Sequence, residues 1–188
     1  MIASAAMATE PQGSSDDGET TLGQGKYLKL VVRRGWEFVH RFRCTGVVII
    51  VAITPERRVL LVEQFRPAVD SRVIELPAGL VGDTAAWADE RLLDAAHREL
   101  IEETGYQAAR FTQLAEAPTS VGMSSERLTF FQAHDLTRVG AGGGDDSESI
   151  VVHEVPLDGL RPWLAARETE GILIDHKIYA GLFLAGKD

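Results

Sequence analysis

Three glutamates near the end of a helix-forming run constrain this chain more than any other feature. A segment beginning at Asp83 or Ala88 and running to Thr104 is rich in Ala, Leu, Glu and Arg and stops at Gly105, which is the composition and stop signal of an α-helix. Side chains three and four residues apart share a helical face, so Glu99, Glu102 and Glu103 project from one side. At about 100° per residue from Leu93, Glu102, Glu99 and Glu103 fall near roughly 180°, 240° and 280°, while Leu93, Leu100 and Ala96 gather at roughly 300–360°. The carboxylates therefore edge the stripe that faces the core. Clustered carboxylates repel one another, and a hard divalent cation with a taste for oxygen, Mg²⁺ or Mn²⁺, removes that cost. By itself such a run is also the pattern of a solvated helix face.

With 188 residues, 45% of them hydrophobic and 25% charged, the chain is long enough for one globular domain with a substantial core. Its formal charge of -9 repels a nucleic-acid backbone, so no nucleic-acid partner is expected. The single cysteine, Cys44, has no partner for an intrachain disulfide and reads as a buried, inert thiol. No basic stretch precedes an apolar segment at the start, and the longest apolar run, residues 47–53, is far shorter than a membrane span. A cytoplasmic protein without a membrane partner is the expectation.

Residues 1–25, rich in Ser, Thr, Gly, Asp and Glu, read as a flexible N-terminal arm, and residues 26–186 as a single domain. Residues 27–33 and 36–43 alternate apolar with polar residues around Gly35, the pattern of an antiparallel hairpin. Further strands are expected over residues 46–54, 58–64, 73–76, 111–116, 128–133 and 150–155, and helices over 157–167 and 175–184. Strands and helices mix without regular alternation, which favours an α+β layered domain over a doubly wound sheet. No G-x-G-x-x-G opens a helix after a strand, no Walker A pattern is present, and the Gly/Asp-rich loop at 140–148 has the wrong charge for phosphate.

The segment Arg98-Glu99-Leu100-Ile101-Glu102-Glu103-Thr104-Gly105-Tyr106 fits the pattern R-E-U-x-E-E-x-G-U, where U is bulky and apolar or aromatic. A chance match in a chain of this size has odds of about one in 10⁵. The chain here resembles the Nudix hydrolase family, whose signature is G-x5-E-x7-R-E-U-x-E-E-x-G-U. Glu90 lies eight positions before Arg98, and Gly79 fits as the opening glycine, but ten residues separate Gly79 from Glu90 where the family has five. A five-residue insertion within residues 82–87 accounts for the difference, lengthening the loop or adding a turn to the helix. The resemblance implies a Nudix-type α/β/α sandwich with a mixed central sheet, the N-terminal hairpin and a Mg²⁺ cofactor, with Mn²⁺ as a possible substitute.

Outside this box the chain looks most like the ADP-ribose pyrophosphatase branch. Val62-Glu63-Gln64-Phe65-Arg66 resembles that branch's V-x-Q-Y/F-R strand, Glu75-Leu76-Pro77-Ala78-Gly79 its E-x-P-A-G turn, and residues 120–126 its S-P-G-x-S-x-E loop. By this resemblance the Ala78 carbonyl, Glu99 and Glu103 hold the metal, with Glu102 supporting them. Arg66 contacts substrate phosphate, Glu75 lines the pocket, Glu126 on a mobile loop activates water, and Arg98 holds the glutamates in register through a buried ion pair. The segment Gly171 to Lys177 resembles the branch's G-x-I-x-D-x-K, with His176 and Lys177 as structural or rim residues.

The activity so implied is Mg²⁺-dependent hydrolysis of the pyrophosphate bond in a nucleoside diphosphate sugar, ADP-ribose foremost, by a homodimer whose N-terminal strands reach toward the partner. Where ADP-ribose enzymes carry a proline sixteen residues after the box glycine, this chain has Val121. That leaves a related substrate such as GDP-mannose open, and beside it a non-catalytic module that senses a nucleotide.

Overall fold

The computed structural model describes residues 18–84, 87–144 and 149–187. The described residues open with a three-stranded antiparallel sheet of β1 (Thr20–Gln24), β2 (Leu28–Arg33) and β3 (Trp36–Arg41). Its hairpin turns on Arg34 and Gly35, at φ 53° and 77°. Two central residues at positive φ match the right-handed twist of the flanking strands, and the glycine accepts that backbone without cost.

The expected N-terminal arm needs correcting at its end. Residues 1–17 lie outside the described residues, but Thr20–Gln24 is a strand, with Thr20 opposite Val32 and Gln24 opposite Lys29. Backbone pairing and charge hold it where apolar periodicity is missing: Lys29 and Arg33 both donate to the Glu19 carboxylate, at 2.8 and 2.6 Å.

Two four-stranded sheets build the rest. In one, β4 (Gly46–Ala52) lies between β7 (Ala78–Val81) and β9 (Arg127–Arg138), with β8 (Tyr106–Pro118) outside β9. The β4 and β9 strands run parallel and the other pairs antiparallel, so this sheet is mixed. In the other, β5 (Arg58–Arg66) pairs with β10 (Val151–Pro156) and β6 (Ser71–Glu75), and the two-residue β11 (Leu173–Ile174) lies parallel to β6. Among the described residues, three α-helices complete the α+β fold: α1 (Leu92–Thr104), α2 (Leu160–Thr169) and α3 (Lys177–Leu184).

The near-continuous apolar run of β4 is explained by burial on both faces. Val47, Ile49 and Val51 point into one core with Leu61, Ile74, Leu76, Phe130 and Ile178, shared with the second sheet and α3. Val48, Ile50 and Ala52 point into the other, against Ala95, Ala96 and Leu100 of α1. Helix α3 approaches β4 closely through Gly181, where a β-carbon would come within 2.9 Å of Val51 and 2.7 Å of Leu76. The central sheet is thus clamped between layers, which fixes where α1 and the end of β6 can lie. Helix α1 begins only at Leu92, later than Asp83 or Ala88, and β8 and β9 extend past their expected ends into a long hairpin with a bulge between Gln113 and Ala115.

Candidate active site

The turn after β6 brings Ala78 and Gly79 beneath the C-terminal half of α1. On the edge strand β7, Ala78 pairs with Ile49 and Gly79 with Val48 of β4, while Pro77 accepts the Ile50 N–H at 2.8 Å. Glu103 is almost fully buried, and its Oε2 accepts the Ala78 N–H at 3.0 Å. Glu99 crosses directly over Gly79, where a β-carbon would stand 1.8 Å from Glu99 Oε1. Any other residue at position 79 would occupy the space the carboxylate needs.

Arg98 organises the acidic ridge. It donates through Nε and Nη2 to the two oxygens of Glu90, at 2.8 and 3.0 Å, and through Nη1 to Glu99 and Glu102, at 2.8 and 3.0 Å. The Leu80 carbonyl accepts a further bond at 3.2 Å. Side-chain exposure is 16% for Arg98 and 3% for Glu90, so the pair is buried and the guanidinium fork matches the carboxylate. The hydrogen bond with Glu90, aided by the charge of Glu99, pushes the Arg98 pKa up against the effect of burial.

The helix end is finished by a loop that sequence reasoning had only excluded from phosphate binding. Gly143 and Gly144 donate to the carbonyls of Glu103 and Glu102 at 2.8 and 3.0 Å, and Val139 and Gly140 donate to that of Gly105. These bonds satisfy carbonyls that a helix end otherwise leaves open. Gly105, at φ 74°, and Gly142, at φ 73°, meet so closely that a β-carbon on either would strike the other's backbone.

Across the cavity, Arg66 donates to Glu75 Oε2 through Nε at 2.7 Å, and Gln64 adds a bond at 3.3 Å. Burial pushes the Glu75 carboxyl above its ordinary range, with the Asp175 charge adding to this and Arg66 and Lys177 opposing it. Glu126 is held more firmly than a mobile loop suggests: Arg41 Nε donates to its Oε1 at 2.7 Å and Thr119 Oγ1 to its Oε2 at 3.2 Å. The loop itself docks on β3, with the Val39 N–H donating to the Met123 carbonyl at 2.8 Å and the Ser125 N–H to the Val39 carbonyl at 3.1 Å. Trp36 Nε1 donates to the Gly122 carbonyl at 3.1 Å. Val121 is 86% exposed at the outer turn.

All of the expected site residues, Arg66, Glu75, Ala78, Arg98, Glu99, Glu102, Glu103 and Glu126, line one cavity of about 560 Å³. Sequence reasoning missed Arg41, Gln64, Asp83, Thr84 and Trp87 in its lining, and Lys177 joins them from α3. Arg41, Arg66, Arg98 and Lys177 supply the cationic side chains there, against the carboxylates of Glu75, Asp83, Glu99, Glu102, Glu103 and Glu126. An anionic diphosphate would enter a cavity already rich in negative charge, and divalent cations reverse that balance. The donor set fits such a cation: three carboxylates and a backbone carbonyl offer only hard oxygen ligands. Among the described residues no three acidic, His or Cys side chains form a ready-made cage, and Arg98 and the Ala78 N–H each bond carboxylate oxygens of the ridge.

Comparison with known proteins places this geometry in a family. The model of the NUDIX domain matches residues 43–174. The chain is 34% identical over 117 residues to a methanol dehydrogenase activator of Bacillus methanolicus, a match covering 62% of this chain and 60% of that one. It is 32% identical over 126 residues to an ADP-ribose pyrophosphatase of Bacillus subtilis, covering 65% of this chain and 64% of the relative. To a GDP-mannose pyrophosphatase of Salmonella paratyphi B it is 36% identical over 123 residues, covering 61% of each. The matched region thus spans less than two thirds of these relatives' own lengths. A solved structure of an ADP compounds hydrolase superposes with a TM-score of 0.70 at 22% identity, covering 96% of both chains, a likeness of fold. Among the described residues no helix is long and apolar enough to cross a membrane.

Proposed function

This chain belongs to the Nudix family, and from that premise we propose that it is a Mg²⁺-dependent pyrophosphatase of a nucleoside diphosphate sugar, with ADP-ribose as the foremost substrate. The observation that carries the reading is the placing of Glu99 and Glu103 against Ala78 and Gly79, on the wall of a cavity whose carboxylates need a divalent cation before a diphosphate enters. The Ala78 carbonyl, Glu99 and Glu103 hold Mg²⁺, or Mn²⁺ in its place, and Glu102, the more exposed member of the ridge, supports them. When bound, the cation offsets the charge of the diphosphate and of the departing phosphate.

The chain's own groups supply the remaining steps. Arg66, presented by Glu75, binds a phosphate oxygen with its planar fork. Glu126 accepts a proton from water as its oxygen attacks one phosphorus; the bridging P–O bond breaks and its electron pair leaves with the second phosphate. With ADP-ribose the products are AMP and ribose 5-phosphate. Arg98 acts through the glutamates as a positioning residue.

GDP-mannose is the second substrate reading, favoured by Val121 at the position of the branch proline and by the likeness to a GDP-mannose pyrophosphatase. Exposed apolar side chains on the N-terminal sheet, Leu22, Leu28 and Leu30, support a homodimer that buries this face, and light scattering of the purified chain tests it. A cytoplasmic location is part of the same proposal, in keeping with a small soluble substrate. The decisive experiment is product analysis after incubation with Mg²⁺ and a panel of nucleotide sugars. Release of a nucleoside monophosphate and a sugar phosphate is expected, and binding without cleavage of any of them would overturn the assignment.

A further inference from the structure

The insertion at residues 82–87 is the part of the signature that the proposed chemistry leaves unused. Its described residues are pinned in place. The Trp87 N–H donates to the Thr84 carbonyl at 3.1 Å and the Glu90 N–H to the Trp87 carbonyl at 2.9 Å. Gly82, at φ 68°, closes the base of the loop, where a β-carbon would meet the Ala88 and Trp87 carbonyls at 3.3 and 3.4 Å. The result is an indole placed in the cavity wall, its ring centroid 5.3 Å from the Arg98 guanidinium and 45% of the residue exposed.

Arg98 bonds Glu99 and Glu102, so Trp87 stands one guanidinium away from the acidic ridge. Exposed Asp83 and Thr84 line the same cavity. A carboxylate only accepts hydrogen bonds and repels phosphate, so Asp83 suits a neutral group rich in hydroxyl donors. An indole offers a broad apolar face, and Thr84 can donate or accept. An apolar plate beside an acceptor and a hydroxyl is the chemistry that receives a sugar ring, its C–H face on the indole and its hydroxyls on Asp83.

We propose that Asp83, Thr84 and Trp87 form a sugar subsite, in which Trp87 and Asp83 bind the sugar-like group beyond the diphosphate and select among nucleotide sugars. This rests on the nucleotide-sugar reading of the same cavity. A polar group placed to pair with a substrate hydroxyl discriminates strongly, because an analogue lacking that hydroxyl leaves it unpaired.

The test compares two non-hydrolysable probes in excess Mg²⁺, α,β-methylene ADP-ribose and α,β-methylene ADP, which share base and diphosphate and differ in the sugar. Trp87→Ala and Asp83→Asn should each weaken the first by about tenfold while changing the second by less than about twofold, and Trp87→Phe should keep most of the affinity. Equal losses for both probes would overturn the proposal, because the ring would then act on the base, the diphosphate or Arg98; so would no loss for either. A wild-type chain that cleaves nucleotide sugars while these variants bind normally sinks the sugar subsite alone. Failure of the wild type to bind either probe or cleave any nucleotide sugar sinks the parent reading with it.

Discussion

The carboxylate of Glu99 lies across the α-carbon of Gly79, so close that a β-carbon there would stand 1.8 Å from Glu99 Oε1 and 1.9 Å from its carboxyl carbon. A strand glycine and a helix glutamate twenty positions on are therefore one structural unit. Gly79→Ala should displace Glu99 while leaving the sheet pairing of β7 intact. A displacement of about 1 Å at a reacting centre can cost about 10²-fold in turnover, and a loss of that order is expected with little change in melting temperature. Activity near the wild-type level in the variant would show that Glu99 is not held where the chemistry needs it.

Glu103→Gln keeps an oxygen to accept the Ala78 N–H but removes the negative charge a divalent ion requires. Turnover should fall by about 10³-fold or more, with the fold preserved. Titration with Mn²⁺ followed by electron paramagnetic resonance should show weakened binding in parallel. Undiminished metal affinity would move the site away from this residue.

The helix, its stop at Gly105 and the shared face of its glutamates were legible because they are local, set by spacing along one segment. The hairpin around Gly35 was legible for the same reason. What escaped depends on contacts between distant segments. Nothing in the sequence ties Arg41 to Glu126, 85 residues away, or the glycines at 142–144 to the end of α1. Strand β1 was hidden because its five residues are all exposed and pair through backbone alone. The insertion was visible as an irregularity in spacing, but that Trp87 lines the cavity follows only from contacts such as that of Gly82 with the Trp87 and Ala88 carbonyls.

Arg98→Ala leaves the Glu90 carboxylate buried without its partner, since Glu90 is only 3% exposed. Breaking a buried pair from one side costs about 3–5 kcal/mol, which in a chain of this length lowers the melting temperature by about 10 °C. The double variant Glu90→Ala with Arg98→Ala should recover part of that loss, because no orphaned charge remains. A double variant as unstable as the sum of the singles would contradict the pairing.

On the opposite sheet, Glu63 accepts from His153 at 2.8 Å and from Arg72. Burial pushes its carboxyl up, but the bonds from Arg72 and His153 outweigh it and hold the group below its ordinary value of 4.5. A carboxylate depressed in the folded state stabilises the fold at pH above 4.5, and that contribution fades as pH falls through the lower folded value. Urea midpoints measured from pH 6 downward should therefore drop more steeply for the wild type below pH 4.5 than for Glu63→Gln. Parallel curves would remove Glu63 as a source of acid sensitivity.

Arg41 links the N-terminal sheet to Glu126, the proposed base, at 2.7 Å, beside the backbone pairing of β3 with the loop at 120–126. The backbone pairing keeps the loop docked without the arginine, so removing the side chain frees the carboxylate rather than the whole segment. If Glu126 is the base, Arg41→Ala should then lower kcat by about tenfold, because its carboxylate no longer has one fixed position from which to take a proton. Arg41→Lys keeps the charge but not the fork, and should recover only part of the loss. The ion pair is partly exposed, at 30% and 19% for the two side chains, so its contribution to stability is small and the melting temperature should stay nearly constant. A fall in melting temperature with kcat unchanged would make Arg41 a brace for the sheet with no part in positioning Glu126.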